Sequence, residues 1–212
     1  MRPVILSLLA TALAVPGVAA TFTVLDGQEQ AVIVFEHGAE RETARAYNEL
    51  AAYLKKSTGK EFVALSERDF DADAAQGPPI YVGRCRAVKR ALGAELHRLD
   101  RDAYMVAIEE SRAMLAGPSP WATYWAVCQF LEDYVGVRWL IPGPLGEDVP
   151  EHDSIVVPCG THTYSPAILS RLWSGAGHGG VWSLRQRIHG RYRFHHNLLR
   201  IFPPEKYFED HP

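Results

Sequence analysis

The stretch from Gly117 to Pro144, GPSPWATYWAVCQFLEDYVGVRWLIPGP, sets the terms for the rest of the chain. Ser119 is a favourable helix N-cap, and Pro120 suits the first helical position, where its missing N–H costs nothing. Trp121, Tyr124, Trp125, Cys128, Leu131 and Val135 recur at the three- and four-residue spacing of one helix face. Ala126, Val127 and Phe130 make the other side apolar as well, so this helix is expected to be covered nearly all round. Gly136 supplies a left-handed stop, Val137 to Ile141 reads as a short strand, and Pro142-Gly143-Pro144 as a turn. A helix this aromatic has to be the central packing element of an α/β domain.

The sequence before it supplies that domain. Ala31 to Phe35 is a continuous, mostly β-branched run and reads as a buried strand, with a short strand at Thr21 to Leu25 before it. A helix follows, with Glu40 and Glu42 at its start and Lys55-Lys56 at its end, both favourable to the helix dipole. Thr43, Tyr47, Leu50, Ala51 and Leu54 form its buried face and Gly59 ends it. Phe62 to Leu65 and Pro79 to Gly83 are further strands, and the acidic stretch Asp69 to Gln76 is a surface loop. Ala87 to Leu99 holds a helix, Tyr104 to Ile108 and Arg112 to Ala116 form a hairpin, and Ser154 to Val157 closes the unit. This order predicts an α/β (α+β layered) fold, a mixed β-sheet backed by helices.

Residues 1–20 read as a cleavable secretory signal. Arg2 precedes an apolar run from Val4 to Val15, and Val18-Ala19-Ala20 is a small-residue cleavage site. The run is too short to span a bilayer, so a secreted or periplasmic protein without a stable membrane span is expected. Its loss leaves 21 basic residues against 25 acidic ones, a formal charge of −4, since Arg2 is the only charge removed from the −3 of the full chain. That balance favours neither nucleic acid nor an anionic membrane as partner. Cys85, Cys128 and Cys159 are an odd set, not a disulfide framework; buried thiols are expected, with one bridge left open.

Near Gly160 the character changes. From Ser154 to Pro204 there are six arginines and five histidines but no aspartate or glutamate. Ala167 to Trp173 reads as a strand, Gly175 to Gly180 as a glycine-rich loop and Val181 to His189 as a helix. Alone, such a unit cannot bury its apolar face, so residues 161–212 read as the start of a second, truncated domain after a first at 21–160.

Several pieces carry a resemblance. ARAYNELAAYLKKSTG at 44–59, PIYVG at 79–83, YMVAIEESRAMLAG at 104–117 and WAVCQFLEDYVGVRWLIPGPLGEDVP at 125–150 resemble the N-terminal domain of secreted glycoside hydrolases of the α-glucuronidase and β-N-acetylhexosaminidase type. HNLLRIFPPEKYFEDHP at 196–212 resembles a segment just after the first strand of the catalytic barrel in such proteins. The resemblance implies a non-catalytic domain packed on a (β/α)8 barrel, with Ala167 to Trp173 as the first barrel strand and the catalytic carboxylates beyond Pro212. It also implies that Arg171, at the carboxyl end of that strand, binds sugar hydroxyls or a uronate, with Trp173 stacking on a ring. The alternative for the arginines is that they pair with acids of the following barrel.

Other motifs are weaker. Glycoside hydrolysis needs two carboxyl groups about 5 to 9.5 Å apart. Glu132-Asp133 and Glu147-Asp148 are adjacent residues that read as solvated surface, so no catalytic pair is assigned. Gly175-x-Gly177-x-x-Gly180 matches a dinucleotide fingerprint but lacks the second strand and the acidic residue that such a site requires, so no cofactor is expected. His178, His189, His195 and His196 lack metal-ligand spacing, and no metal is expected. Arg191-Tyr192-Arg193-Phe194 is too short for a nucleic-acid site. The expected function is an accessory domain of an exported glycosidase acting on carbohydrate; a stand-alone secreted carbohydrate-binding or interaction protein without catalysis and a nucleotide-dependent oxidoreductase are the alternatives.

Overall fold

The computed structural model describes residues 20–75, 77–172, 180–191 and 201–207. The expected signal segment lies almost wholly outside them, as do Trp173, Gly175, Gly177, His178, His195 and His196.

A six-stranded sheet runs in the order β11-β6-β7-β5-β3-β4. It comprises β3 (Val32–Phe35), β4 (Ala64–Ser66), β5 (Pro79–Val82), β6 (Tyr104–Glu109), β7 (Arg112–Ala116) and β11 (Gly160–Tyr164). β4, β3, β5 and β7 are parallel, while β6 and β11 join antiparallel. The two-residue alternation of side chains sorts the hairpin into two faces. Val106, Ile108, Ala113 and Leu115 face the main core, and Met105, Ala107, Met114 and Ala116 face a smaller one.

Helices cover both faces. α1 (Arg41–Thr58) and α3 (Pro120–Phe130) lie together on the main core, and α2 (Arg86–Arg98) covers the other face through Val88, Leu92 and Leu96. α1 ends at Gly59 in the left-handed region, φ 71°, as its sequence predicts. Ser119 caps α3, its Oγ accepting from the Ala122 N–H at 3.1 Å. The helix then widens into a π-helical turn at Leu131–Val135 before Gly136 stops it at φ 83°.

Two small sheets complete the fold. β1 (Thr21–Asp26) lies between β2 (Glu29–Gln30) and β10 (Ile155–Pro158), so the closing strand pairs with β1 and not with the main sheet. β8 (Arg138–Trp139) pairs with β9 (Glu147–Asp148), setting Trp139 opposite Glu147. All three cysteines are free; Cys85 and Cys128 are buried. No helix among the described residues is long and apolar enough to cross a membrane.

Beyond residue 160 the structure departs from expectation in three ways. β11 begins at Gly160, so a sheet strand runs across the expected boundary at 160/161. Residues 167–172 form bends and irregular backbone without ladder pairing, so over its described part the strand expected at 167–173 is not formed. A parallel strand draws its hydrogen bonds from neighbours on either side, and the described residues offer it none. The expected helix at 181–189 is shortened to α4 (Val181–Arg185).

Candidate functional site

α3 is apolar all round because each of its sides has a cover. α1 and the sheet take two, and residues 180–191 lie over the third as a strap. Leu184 and Ser183 of the strap are buried, and the Trp125 indole N–H donates to the Leu184 carbonyl at 2.8 Å. The Trp182 indole N–H and the Gln186 side-chain amide both donate to the Trp139 carbonyl.

The strap is fastened by its cations. Arg185 forks onto Glu49 of α1, with Nη2 to Oε1 at 3.1 Å and Nε to Oε2 at 3.3 Å, and its Nη1 reaches Glu147 Oε1 at 3.0 Å. Its guanidinium also lies 5.3 Å from the Tyr53 ring centre and 5.2 Å from that of Trp139. The planar fork of arginine suits both contacts at once. Glu49 further accepts from the Tyr124 hydroxyl, and Glu147 from Tyr53 and Lys56. Burial pushes the Glu147 carboxyl up, but the donors Lys56, Tyr53 and Arg185 outweigh it and hold the pKa at about 2.

Arg187 reaches Glu132 and Gln129 at the end of α3. It does so with φ 58°, a left-handed backbone that costs a non-glycine residue about 1 kcal/mol or more. Gln129 continues the network, accepting from the Tyr104 hydroxyl and donating to Asp133, which accepts from the Tyr164 hydroxyl.

Asp102 is the second anchor. Its carboxylate is fully buried, and Oδ2 takes Arg171 Nη2 at 3.0 Å, His189 Nδ1 at 3.0 Å and Arg191 Nε at 3.2 Å. Burial raises its pKa, but the His189 and Arg191 hydrogen bonds outweigh that and hold the carboxyl below its usual range. Arg191 also grips both oxygens of Asp100. His189 stacks on Trp121 and meets Trp125 edge-on, each at 5.6 Å between ring centres.

Arg171 therefore sits inside this network. Its Nε donates to the Arg187 carbonyl, its Nη1 to the Ile168 carbonyl and its Nη2 to Asp102, and its guanidinium lies over Trp125. It lines a cleft of about 430 Å³ together with Asp102, Tyr104, Tyr164 and Arg187. Trp173, its expected companion, lies outside the described residues.

The described arginines of the tail find acids within the chain, on Asp100, Asp102, Glu49, Glu132 and Glu147. Glu132 and Glu147 are accordingly not solvated surface: their side chains are 22% and 15% exposed, each against an arginine. Their neighbours Asp133 and Asp148 are exposed, as adjacent residues pointing apart require. The sequence reading overlooked Glu49 and Asp102, whose only cue was the excess of unpaired arginines further on. Among the described residues no cluster of ligating side chains could hold a metal ion.

No family model matches the sequence, and no curated protein matches it. Three of the solved structures to parts of which the chain is similar are the following. The first is described as CpGH84D (13% identity, TM-score 0.37, 66% of this chain and 21% of that one). The second is a GH20 exo-β-N-acetylglucosaminidase from Vibrio harveyi (15%, 0.40, 71% and 18%). The third is the Flavobacterium johnsoniae chitobiase (12%, 0.40, 71% and 19%). The chain thus spans about a fifth of the length of each.

Proposed function

We propose that this chain is the accessory N-terminal part of an exported glycoside hydrolase of the α-glucuronidase and β-N-acetylhexosaminidase type, acting on polysaccharide. It carries and orients the polypeptide that follows it. The observation that supports this is the fate of the buried carboxylates. Glu49, Asp102, Glu132 and Glu147 are each bound to an arginine of the tail. An acid held this way below its usual range, as Glu147 and Asp102 are, is a poor proton donor to a glycosidic oxygen. Their common product is a rigid seat for residues 180–191.

In this reading Arg171 shapes the cleft floor and holds Asp102 and Trp125. Substrate contact comes from residues further along the full protein. Export follows from the signal pattern, and β1 starts at Thr21, directly after the expected cleavage site.

The test is an assay of this chain beside its reading frame extended past Pro212, on aryl glycosides and on glucuronoxylan. Turnover by the extended protein alone is expected. Turnover by the chain itself, abolished by Glu132→Gln or Asp102→Asn, would overturn the assignment. Mass spectrometry of the exported protein should find Thr21 at the N-terminus.

A further inference from the structure

The described arginines of the tail are engaged, but most of a second group of cations is not. Residues 84–101, RCRAVKRALGAELHRLDR, carry Arg84, Arg86, Lys89, Arg90, Arg98 and Arg101 against Glu95 and Asp100. Asp100 is held by Arg191. Among the described residues only Arg86 of this group meets a carboxylate, Glu67, at 3.6 Å. Glu67 is itself spent on backbone N–H groups of Arg86 and His37, and Glu36 on that of Arg84. The side chains of Arg84, Lys89, Arg90, Arg98 and Arg101 are exposed, and among the described residues none of them forms a salt bridge with a carboxylate.

This arrangement works against the helix that bears it. The first turn of α2 holds no acid, and its cations lie at the positive end of the dipole, where they are unfavourable. Arg86 is followed at i+3 and i+4 by Lys89 and Arg90, like-charge pairs that weaken a helix further. Folding gives no reason for this choice; an anion bound outside does.

A groove beside the helix gives the anion a place. It has a volume of about 530 Å³ and is lined by Arg84, Lys89, Gly93, His97 and Pro118. Lys89, Gly93 and His97 follow at i, i+4 and i+8, a row about 12 Å long on one side of the helix. Gly93 sits in mid-helix, where glycine is unfavourable. A Cβ built on it would meet nothing within 4 Å, so no internal packing demands the glycine. Its absent side chain leaves the groove open between Lys89 and His97.

We propose that this face of α2 binds a densely anionic linear polysaccharide, the carboxylate or sulfate groups pairing with Arg84, Lys89 and His97 along the Gly93 groove and with the exposed Arg90 next to Lys89. No Phe, Tyr or Trp lines the groove; His97 is its one ring, so it offers no run of stacking platforms along which successive nucleic-acid bases could lie. The exposed side of α2 carries no large apolar residue to enter a membrane. The choice of a glycan rests on the function proposed above; the charge argument does not.

The experiment is affinity electrophoresis of the full chain in gels containing polygalacturonate, heparin, neutral xylan or duplex DNA. Retardation by polygalacturonate or heparin is expected, falling steeply from about 50 to about 200 mM salt, and the stronger of the two names carboxylate or sulfate as the preferred group. Lys89→Gln/Arg90→Gln should weaken it about tenfold with an unchanged circular dichroism spectrum. Gly93→Leu should abolish it while leaving the melting temperature equal or higher, because leucine is the better helix former. No retardation by either acidic polymer, equal retardation by DNA, or undiminished binding by Gly93→Leu would each overturn the proposal. None of these results touches the glycosidase assay, so the two assignments fail separately.

Discussion

Arg185 and Glu49 are joined by two hydrogen bonds of 3.1 and 3.3 Å, although 136 residues separate them. The Arg185 side chain is 13% exposed and also serves Glu147. Removing it leaves the Glu49 carboxylate largely buried without its arginine and Glu147 with Lys56 alone as counter-charge, and breaking such a pair typically costs about 3 to 5 kcal/mol. Arg185→Ala should therefore lower the thermal midpoint more than any other single change in the strap. Arg185→Lys should recover little, since an ammonium neither forks nor stacks between Tyr53 and Trp139. Thermal unfolding followed by circular dichroism measures both.

Asp102→Asn keeps the shape of the second anchor and removes its charge. Arg171, His189 and Arg191 then share a neutral amide, and a loss of about 3 kcal/mol is expected. A double-mutant cycle with Arg171→Met should show strong coupling, because the second change removes a cation that the first has orphaned. Additive losses would show that Arg171 owes its position to Trp125 and the backbone carbonyls alone.

Acid should release the strap. The Glu147 pKa is lowered to about 2 and those of Asp100 and Asp102 are also depressed. A depressed carboxyl contributes stability that is present above its unfolded pKa and is lost as pH falls through the folded one. For Glu147 that window runs from about 4.5 down to about 2. The urea midpoint should fall steadily across it, and Glu147→Gln should be less stable at neutral pH but flatter in its acid response.

Alkylation separates the thiols. Burial pushes the Cys85 thiol up to about 12 and Cys128 higher still, whereas Cys159 is partly exposed. Reactivity follows the thiolate and its access. Iodoacetamide at pH 8 should label Cys159 first, and the other two only on unfolding; peptide mass mapping reads the order.

Periodicity made the α/β layers legible. The strands at 31–35, 79–83 and 104–116, the helix ended by Gly59 and the capped helix at Ser119 stand where alternation and spacing place them. β10 was recognisable as a strand but not its partner, because Ile155 and Val157 face a core whichever sheet they join. β11 was missed: Gly160 to Tyr164 is a mostly exposed edge with little apolar pattern. The strap was hidden for another reason. Its anchors are single charges far apart in sequence, and no local pattern tells that Asp102 is buried while Asp133 is exposed. A tail rich in arginine and free of acid poses the question; only the tertiary arrangement answers it.

The cover over α3 also has a bearing on the order of folding. The sheet, α1 and α3 come together from residues 21–164, but the outer side of Trp125 is closed only when Leu184 arrives. Contacts of such long sequence separation form late, since the loop must close before they repay it. During synthesis, the aromatic side of α3 is therefore bare for as long as residues 180–191 are still to come. At that stage the charges of the strap act as a guide. Arginines 185, 187 and 191 approach a surface already lined with Glu49, Glu147, Glu132 and Asp102, and the field between them draws the segment home before its apolar contacts can form.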